Sequence, residues 1–115
     1  MSEVMKINQE LASLSKKLAI ASNEYSDACK KAAGARSDYD LAKAKATLKS
    51  SLKTASDRQA EATILCEAEM REARINEALR DATKERLRAL ESVLNATQTR
   101  AGFLRDEMKL AGKDY

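Results

Sequence analysis

Residues 4–46 read VMKINQELASLSKKLAIASNEYSDACKKAAGARSDYDLAKAKA, and what recurs in them at steps of three and then four decides the fold. Val4, Ile7, Leu11, Leu14, Leu18, Ala21, Tyr25, Ala28, Ala32, Ala35, Tyr39, Ala42 and Ala46 form an unbroken heptad seam across six heptads. The residues between them are charged or small and polar, such as Lys16, Lys17, Asn23, Glu24, Ser37 and Asp38. One face of this helix is therefore built for a partner helix and the other for water.

The pattern falters at Leu48-Lys49-Ser50-Ser51-Leu52-Lys53. Thr54 follows, with Asp57 three residues on, which resembles a capping box with Thr54 as N-cap. The expected organisation is a single helical hairpin over 1–115, with helix one about 3–51, a turn about 51–55 and helix two about 55–111. Helix two carries Ile64, Leu65, Ala68, Ile75, Leu79 and Ala82, then Leu87, Leu90, Leu94, Thr97, Ala101, Leu104, Met108 and Ala111. The last eight keep strict three-four spacing, whereas the step from Ala82 to Leu87 is out of phase and reads as a break in the seam. Gly112 is the expected helix stop. Gly34 and Gly102 lie inside helical pattern and are read as close approach or tolerance.

Folding the chain back at the turn places Tyr25 opposite Ala82, Ala28 opposite Leu79, Ala32 opposite Ile75 and Tyr39 opposite Ala68. Leu11, Leu14 and Leu18 then meet Ala96, Val93 and Ala89 or Leu90. Large meets small at each of the four Tyr and Ala layers, as close packing requires. Leu87, Leu94, Leu104 and Met108 cannot share one seam with Val93, Ala96 and Phe103. The first four are accordingly expected to self-associate, giving a dimeric four-helix bundle. The fold class expected is all-α: a long antiparallel two-helix coiled-coil hairpin that dimerises.

Composition agrees with an elongated rather than a broad-cored chain. In 115 residues there are no Pro or Trp, one Phe, three Tyr and three Gly. Alanine carries much of the apolar content, which favours closely packed helices. With 21 basic and 18 acidic residues the net charge is +3, too small to diagnose a nucleic-acid binder. No long apolar run and no charged-then-apolar leader is present, so a soluble, intracellular protein with no membrane partner is expected. Cys29 and Cys66 would sit about 18 Å apart along a hairpin rising 1.5 Å per residue, too far for a disulfide. They are read as packing residues in a reducing compartment.

Nothing in the sequence has the form of a reaction centre. There is no His, no nucleotide loop, no zinc-ligand cluster and no nucleophile elbow. Glu67, Glu69, Glu72, Glu77 and Asp81 read as a solvated face, so no enzyme activity, catalytic residue, metal or cofactor is expected. The charge distribution says more. Lys30, Lys31, Arg36, Lys43, Lys45, Lys49 and Lys53 stand against only Asp38 and Asp40 over residues 30–53. They are candidate contacts to a phosphate backbone, weighed against neutralisation by Asp57, Glu61, Glu67 and Glu69 from the partner helix. Arg86, Arg88, Arg100, Arg105 and Lys109 are expected to pair between helices. Met5, Met70 and Met108 are expected to fill core or interface.

Tyr39-Asp40-Leu41-Ala42-Lys43-Ala44-Lys45-Ala46, the Thr54/Asp57-Arg58 turn, and Leu87-Arg88-Ala89-Leu90 continuing through Thr99-Arg100 to Leu104-Arg105-Asp106-Glu107-Met108 carry a family resemblance. Over roughly residues 39–111 the chain resembles small helical proteins of tailed bacteriophages and prophages, encoded beside recombination and single-strand-binding functions. The resemblance implies the cytoplasm of a bacterial host cell and an accessory role in phage DNA metabolism or recombination. The function expected is a non-enzymatic protein-interaction module binding a phage or host DNA-metabolism protein. The alternatives are a nucleic-acid-binding factor using the basic tip and an inhibitor of a host defence nuclease.

Overall fold

A computed structural model describes residues 2–112. The chain is all-α and coiled-coil-like, a helical hairpin of three helices: α1 (Glu3–Lys49), α2 (Ala55–Leu65) and α3 (Glu67–Leu110). It divides into two units, one made of the chain ends up to Glu24 and from Lys84, the other of residues 25–83.

All thirteen positions of the α1 seam are buried or half-buried, so α1 turns inward the face its heptads specify. In the unit of the chain ends, Val4, Ile7, Leu11, Leu14, Leu18 and Ala21 face Leu87, Leu90, Leu94, Thr97, Ala101, Leu104 and Met108 of α3. Thr97 is the polar member of this seam. Its hydroxyl donates to the Val93 carbonyl at 2.8 Å, so its burial leaves nothing unpaired. Leu11, Leu14 and Leu18 thus pack in a seam with Leu90 and Leu94, and Val93, Ala96 and Ala89 lie outside it.

In the second unit the inward face of helix two differs from the one expected. Ile64, Leu65, Ala68, Ile75, Leu79 and Ala82 are exposed, and the inward residues are Ala62, Cys66, Met70, Ala73, Asn76, Glu77, Arg80 and Thr83. The expected facing pairs of Tyr25, Ala28, Ala32 and Tyr39 are therefore all corrected. Asn76, Arg80 and Thr83 stand one position beyond Ile75, Leu79 and Ala82, a rotation of about 100° on a helix of 3.6 residues per turn. The break between Ala82 and Leu87 disappears with this correction, because Ala73, Asn76, Arg80, Thr83 and Leu87 continue one three-four rhythm. Polar residues are tolerated inside because each is bonded. Asn76 Nδ2 donates to the Glu72 carbonyl at 2.9 Å, Thr83 donates to the Leu79 carbonyl at 2.6 Å, and Arg80 Nε reaches Asp81 at 3.1 Å.

The core of this unit is Tyr39 with Cys66 and Ala73, flanked by Ala35, Ala42, Ala46 and Met70. Tyr39 is 4% exposed and is the one large side chain of that cluster's buried centre. Cys66 is also where helix two is interrupted, with φ −102° and ψ 23°. The helical ladder crosses it, since Cys66 N donates to Ala62 O and Met70 N to Cys66 O, both at 3.0 Å. Cys29 is half-buried and Cys66 buried, both as free thiols.

Helix one ends at Lys49, two residues short of expectation, and residues 50–54 form the turn. Thr54 has extended backbone and accepts from Asp57 N at 3.1 Å, the expected N-cap. Arg58 Nη1 donates to the Leu52 carbonyl at 3.2 Å and the Lys53 carbonyl at 3.5 Å, tying down a turn that contains no Gly or Pro. Gly112, at φ +72°, stops α3 as expected, and Gly112 N bonds Lys109 O at 3.0 Å. Nothing lies within 4 Å of a Cβ built on Gly34 or Gly102, so neither marks close helix approach.

Tyr39→Ala is expected to destabilise the protein by about 3 kcal/mol through transfer and cavity terms. Thr54→Ala is expected to cost about 1 kcal/mol. Urea unfolding followed by circular dichroism checks both and should rank Tyr39 well above Thr54.

Candidate interaction surfaces

With a and d as the inward heptad positions, g and e flank the seam, and oppositely running helices bring g to g and e to e. In the unit of the chain ends, Arg86 pairs with Glu24 and Arg100 with Glu10, all four at g. In the other unit Arg36 and Glu77, both at e, form a two-pronged bond with Nη2–Oε1 at 2.6 Å and Nε–Oε2 at 2.9 Å. These pairs fix direction and register, with the planar guanidinium matching the carboxylate. Arg36 also lies 5.5 Å from the Tyr39 ring centroid and 4.0 Å from Met70 Sδ, closing the core over.

The Arg36 hydrogen bond lowers the Glu77 carboxyl from its usual range, against a smaller opposing effect of burial. Glu77 in turn raises Arg36. In the same unit, the Cys29 thiol raises the Tyr25 phenol, first through a hydrogen bond.

The ion pairs described here are made by arginines: Arg36, Arg71, Arg80, Arg86, Arg88 and Arg100. Of the basic group expected near the tip, Arg36 is thus committed to Glu77, and Lys43 lies 5.9 Å from the Tyr39 ring. Lys30, Lys31, Lys45, Lys49 and Lys53 are exposed. Among the described ion pairs, helix two neutralises Arg36 through Glu77, whereas none of Asp57, Glu61, Glu67 and Glu69 pairs with the basic group and Glu67 pairs with Arg71 in its own helix. Arg86 and Arg100 pair between helices as expected, whereas Arg88 pairs within α3 with Glu85.

The expected self-association residues Leu87, Leu94, Leu104 and Met108 are half-buried in the seam with α1, and Val93, Ala96 and Phe103 are exposed. The exposed apolar surface of this stretch is therefore the second set, and the first lies in the intrachain seam. Met70 and Met108 are half-buried, but Met5 is exposed.

That second set belongs to a pattern the expected phase concealed. On α3, positions c and g, adjacent on the outer surface, read Ala68, Glu72, Ile75, Leu79, Ala82, Arg86, Ala89, Val93, Ala96, Arg100, Phe103, Glu107 and Leu110. The thirteen positions follow three-four spacing, and nine of them are apolar, interrupted at Glu72, Arg86, Arg100 and Glu107. Their large members are exposed: Ile75 48% and Leu79 57% in one unit, Val93 50%, Phe103 67% and Leu110 90% in the other. Helix two thus carries two heptad stripes, an inner one with a polar middle and an outer one rich in large aliphatics. Counting back from Leu87 in threes and fours would have found the inner stripe. Its polar residues at 76, 80 and 83 hid it.

Among the described residues no group of three or more His, Cys, Asp or Glu could hold a metal ion, and no helix is long and apolar enough to cross a membrane. Compared with family models, curated proteins and solved structures, the chain matches none.

A lowered Glu77 carboxyl contributes stability that is fully present above the unfolded glutamate value of about 4.3. It is lost as pH falls through the lower folded value. Urea midpoints measured from neutral pH downward should drop through this window, and Glu77→Gln should flatten that part of the profile.

Proposed function

We propose that the protein is a non-enzymatic interaction module whose outer α3 stripe docks a helix. The observation that supports this is the exposed three-four pattern from Ala68 to Leu110, with Ile75, Leu79, Val93, Phe103 and Leu110 all open to solvent. A helical partner is what such spacing suits, since successive apolar residues meet a partner helix once per half-heptad. Exposed apolar surface, here Ile75 and Leu79 in one unit and Val93, Phe103 and Leu110 in the other, is a marker of interaction sites in proteins. Two hairpins meeting through such stripes would form a four-helix bundle.

The resemblance to small helical phage and prophage proteins supports an accessory role in DNA metabolism or recombination inside a bacterial host. On this reading a phage or host protein of that machinery is the partner, and no reaction is catalysed.

A nucleic-acid contact is the second reading, favoured by one observation: Lys30, Lys31, Lys45, Lys49 and Lys53 are exposed and outside every described ion pair. Phosphate contacts by such lysines would weaken steeply with salt. The tip offers exposed Leu48 and Leu52 in place of the aromatics that stack on bases, which favours the protein reading.

Affinity capture from phage-infected bacteria, with the wild type and Ile75→Lys/Leu79→Lys as baits, tests the proposal. Proteins retained by the wild type should be lost with the variant, and labelled DNA should not shift. Equal capture by both baits would contradict the stripe reading. A salt-sensitive DNA shift abolished by Lys45→Glu/Lys49→Glu/Lys53→Glu would instead establish the nucleic-acid reading.

A further inference from the structure

Residues 41–56, which close α1 and form the turn, read LAKAKATLKSSLKTAS, with four lysines and no Asp or Glu. The whole segment lies in the unit of residues 25–83. Its leucines, Leu41, Leu48 and Leu52, are all exposed, Leu48 by 87%. Leu41, Lys45 and Leu48 follow one another at steps of four and three, so they share the face of α1 opposite its inward seam. Lys49 stands one helical turn beyond Lys45, and Lys53 follows Leu52 in the turn. Lys45, Lys49 and Lys53 are exposed and outside every described ion pair.

We propose that this face of α1, continued through the turn, lies on an anionic phospholipid surface. The contact is separate from the α3 stripe and goes beyond the docking of a helix there. It needs no spanning segment, and no helix among the described residues is long and apolar enough to be one.

The composition of the face selects that occupant. Leucines interleaved with lysines suit a bilayer interface. The leucines enter the headgroup region, while each lysine stem carries its ammonium up to the lipid phosphates. Apolar insertion and basic charge are each weak alone, and together they hold a protein at such a surface. A nucleic-acid backbone would engage the lysines but leave Leu48, the most exposed of the three leucines, in water. Asp40 precedes the segment and Asp57 follows it. Asp57 and Glu61 border a hollow with Leu52, Ile64 and Leu65 on the α2 side, which confines the cationic face to α1 and the turn.

Co-sedimentation of the full chain with lipid vesicles tests the inference. The protein should pellet at low salt with vesicles of phosphatidylglycerol and phosphatidylcholine, and not with phosphatidylcholine alone. Leu48→Ser/Leu52→Ser and Lys45→Glu/Lys49→Glu/Lys53→Glu should each lower partitioning by about tenfold or more, with helical circular dichroism retained. Ile75→Ser/Leu79→Ser, on the α3 stripe, should partition as the wild type does.

Because the chain has no Trp, Leu48→Trp reports on the contact directly. Its emission should move to shorter wavelength on the anionic vesicles, and that of Leu79→Trp should stay unchanged. Failure of the wild type to pellet, or pelleting indifferent to Leu48→Ser/Leu52→Ser, would overturn the inference. So would a DNA shift that needs the three lysines and not the leucines, without vesicle binding, since it would assign the lysines to nucleic acid.

Discussion

The unit that contains the turn depends on one side chain. Its α1 seam is Tyr25 followed by small residues until Tyr39, and small residues let helices approach but bury little area each. Tyr39 supplies the volume, filling the space against Cys66 and Ala73 while Arg36 and Lys43 lie against its ring. Arg36 then carries the same contact outward to Glu77, so a single layer combines apolar burial, ring–cation attraction and a charge-assisted bond. The interruption at Cys66 falls at this layer, where the cysteine side chain packs beside the tyrosine.

Helix two divides its chemistry in an unexpected way. Its inner face becomes polar at Asn76, Glu77, Arg80 and Thr83, and the price is kept small because each finds a hydrogen bond to its own helix or to Arg36. Its outer face carries Ile75 and Leu79 in the same turns. These exposed aliphatics are the surface that the proposed docking of a helix would cover. The division of labour between cations points the same way. Arginines lock the hairpin, and the lysines at the tip are left to solvent or to a ligand.

How much of this was legible in the sequence varied along the chain for physical reasons. The α1 phase was legible because its apolar residues recur every three and four positions on one face, while those on the outer face, Met5, Ile20, Leu41 and Leu48, are scattered among polar residues. The turn was legible from Thr54, whose hydroxyl caps α2, although the role of Arg58 in holding the Leu52 and Lys53 carbonyls had no local signature. Over residues 62–83 the rule that large aliphatics mark the buried face failed, since Ala62, Ala73 and Asn76 are inside and Ile64, Ile75 and Leu79 outside. The surplus of apolar surface on helix two was legible, but its address was not. Choosing between Leu94 and Val93 requires knowing which face α1 already covers. Which lysines stay free was equally hidden, because Lys43 differs from Lys45 and Lys49 only in its heptad position.

The account therefore centres on the rotation of helix two that turns its polar stripe inward and its aliphatic stripe outward. Interhelical nuclear Overhauser contacts from the Tyr39 ring measure that rotation most directly. The ring protons should show contacts to the Ala73 methyl and the Met70 side chain, and none to the Ala68 methyl. A strong Tyr39–Ala68 contact with none to Ala73 would mean that the aliphatic stripe faces α1, and the proposed outer docking surface would not exist.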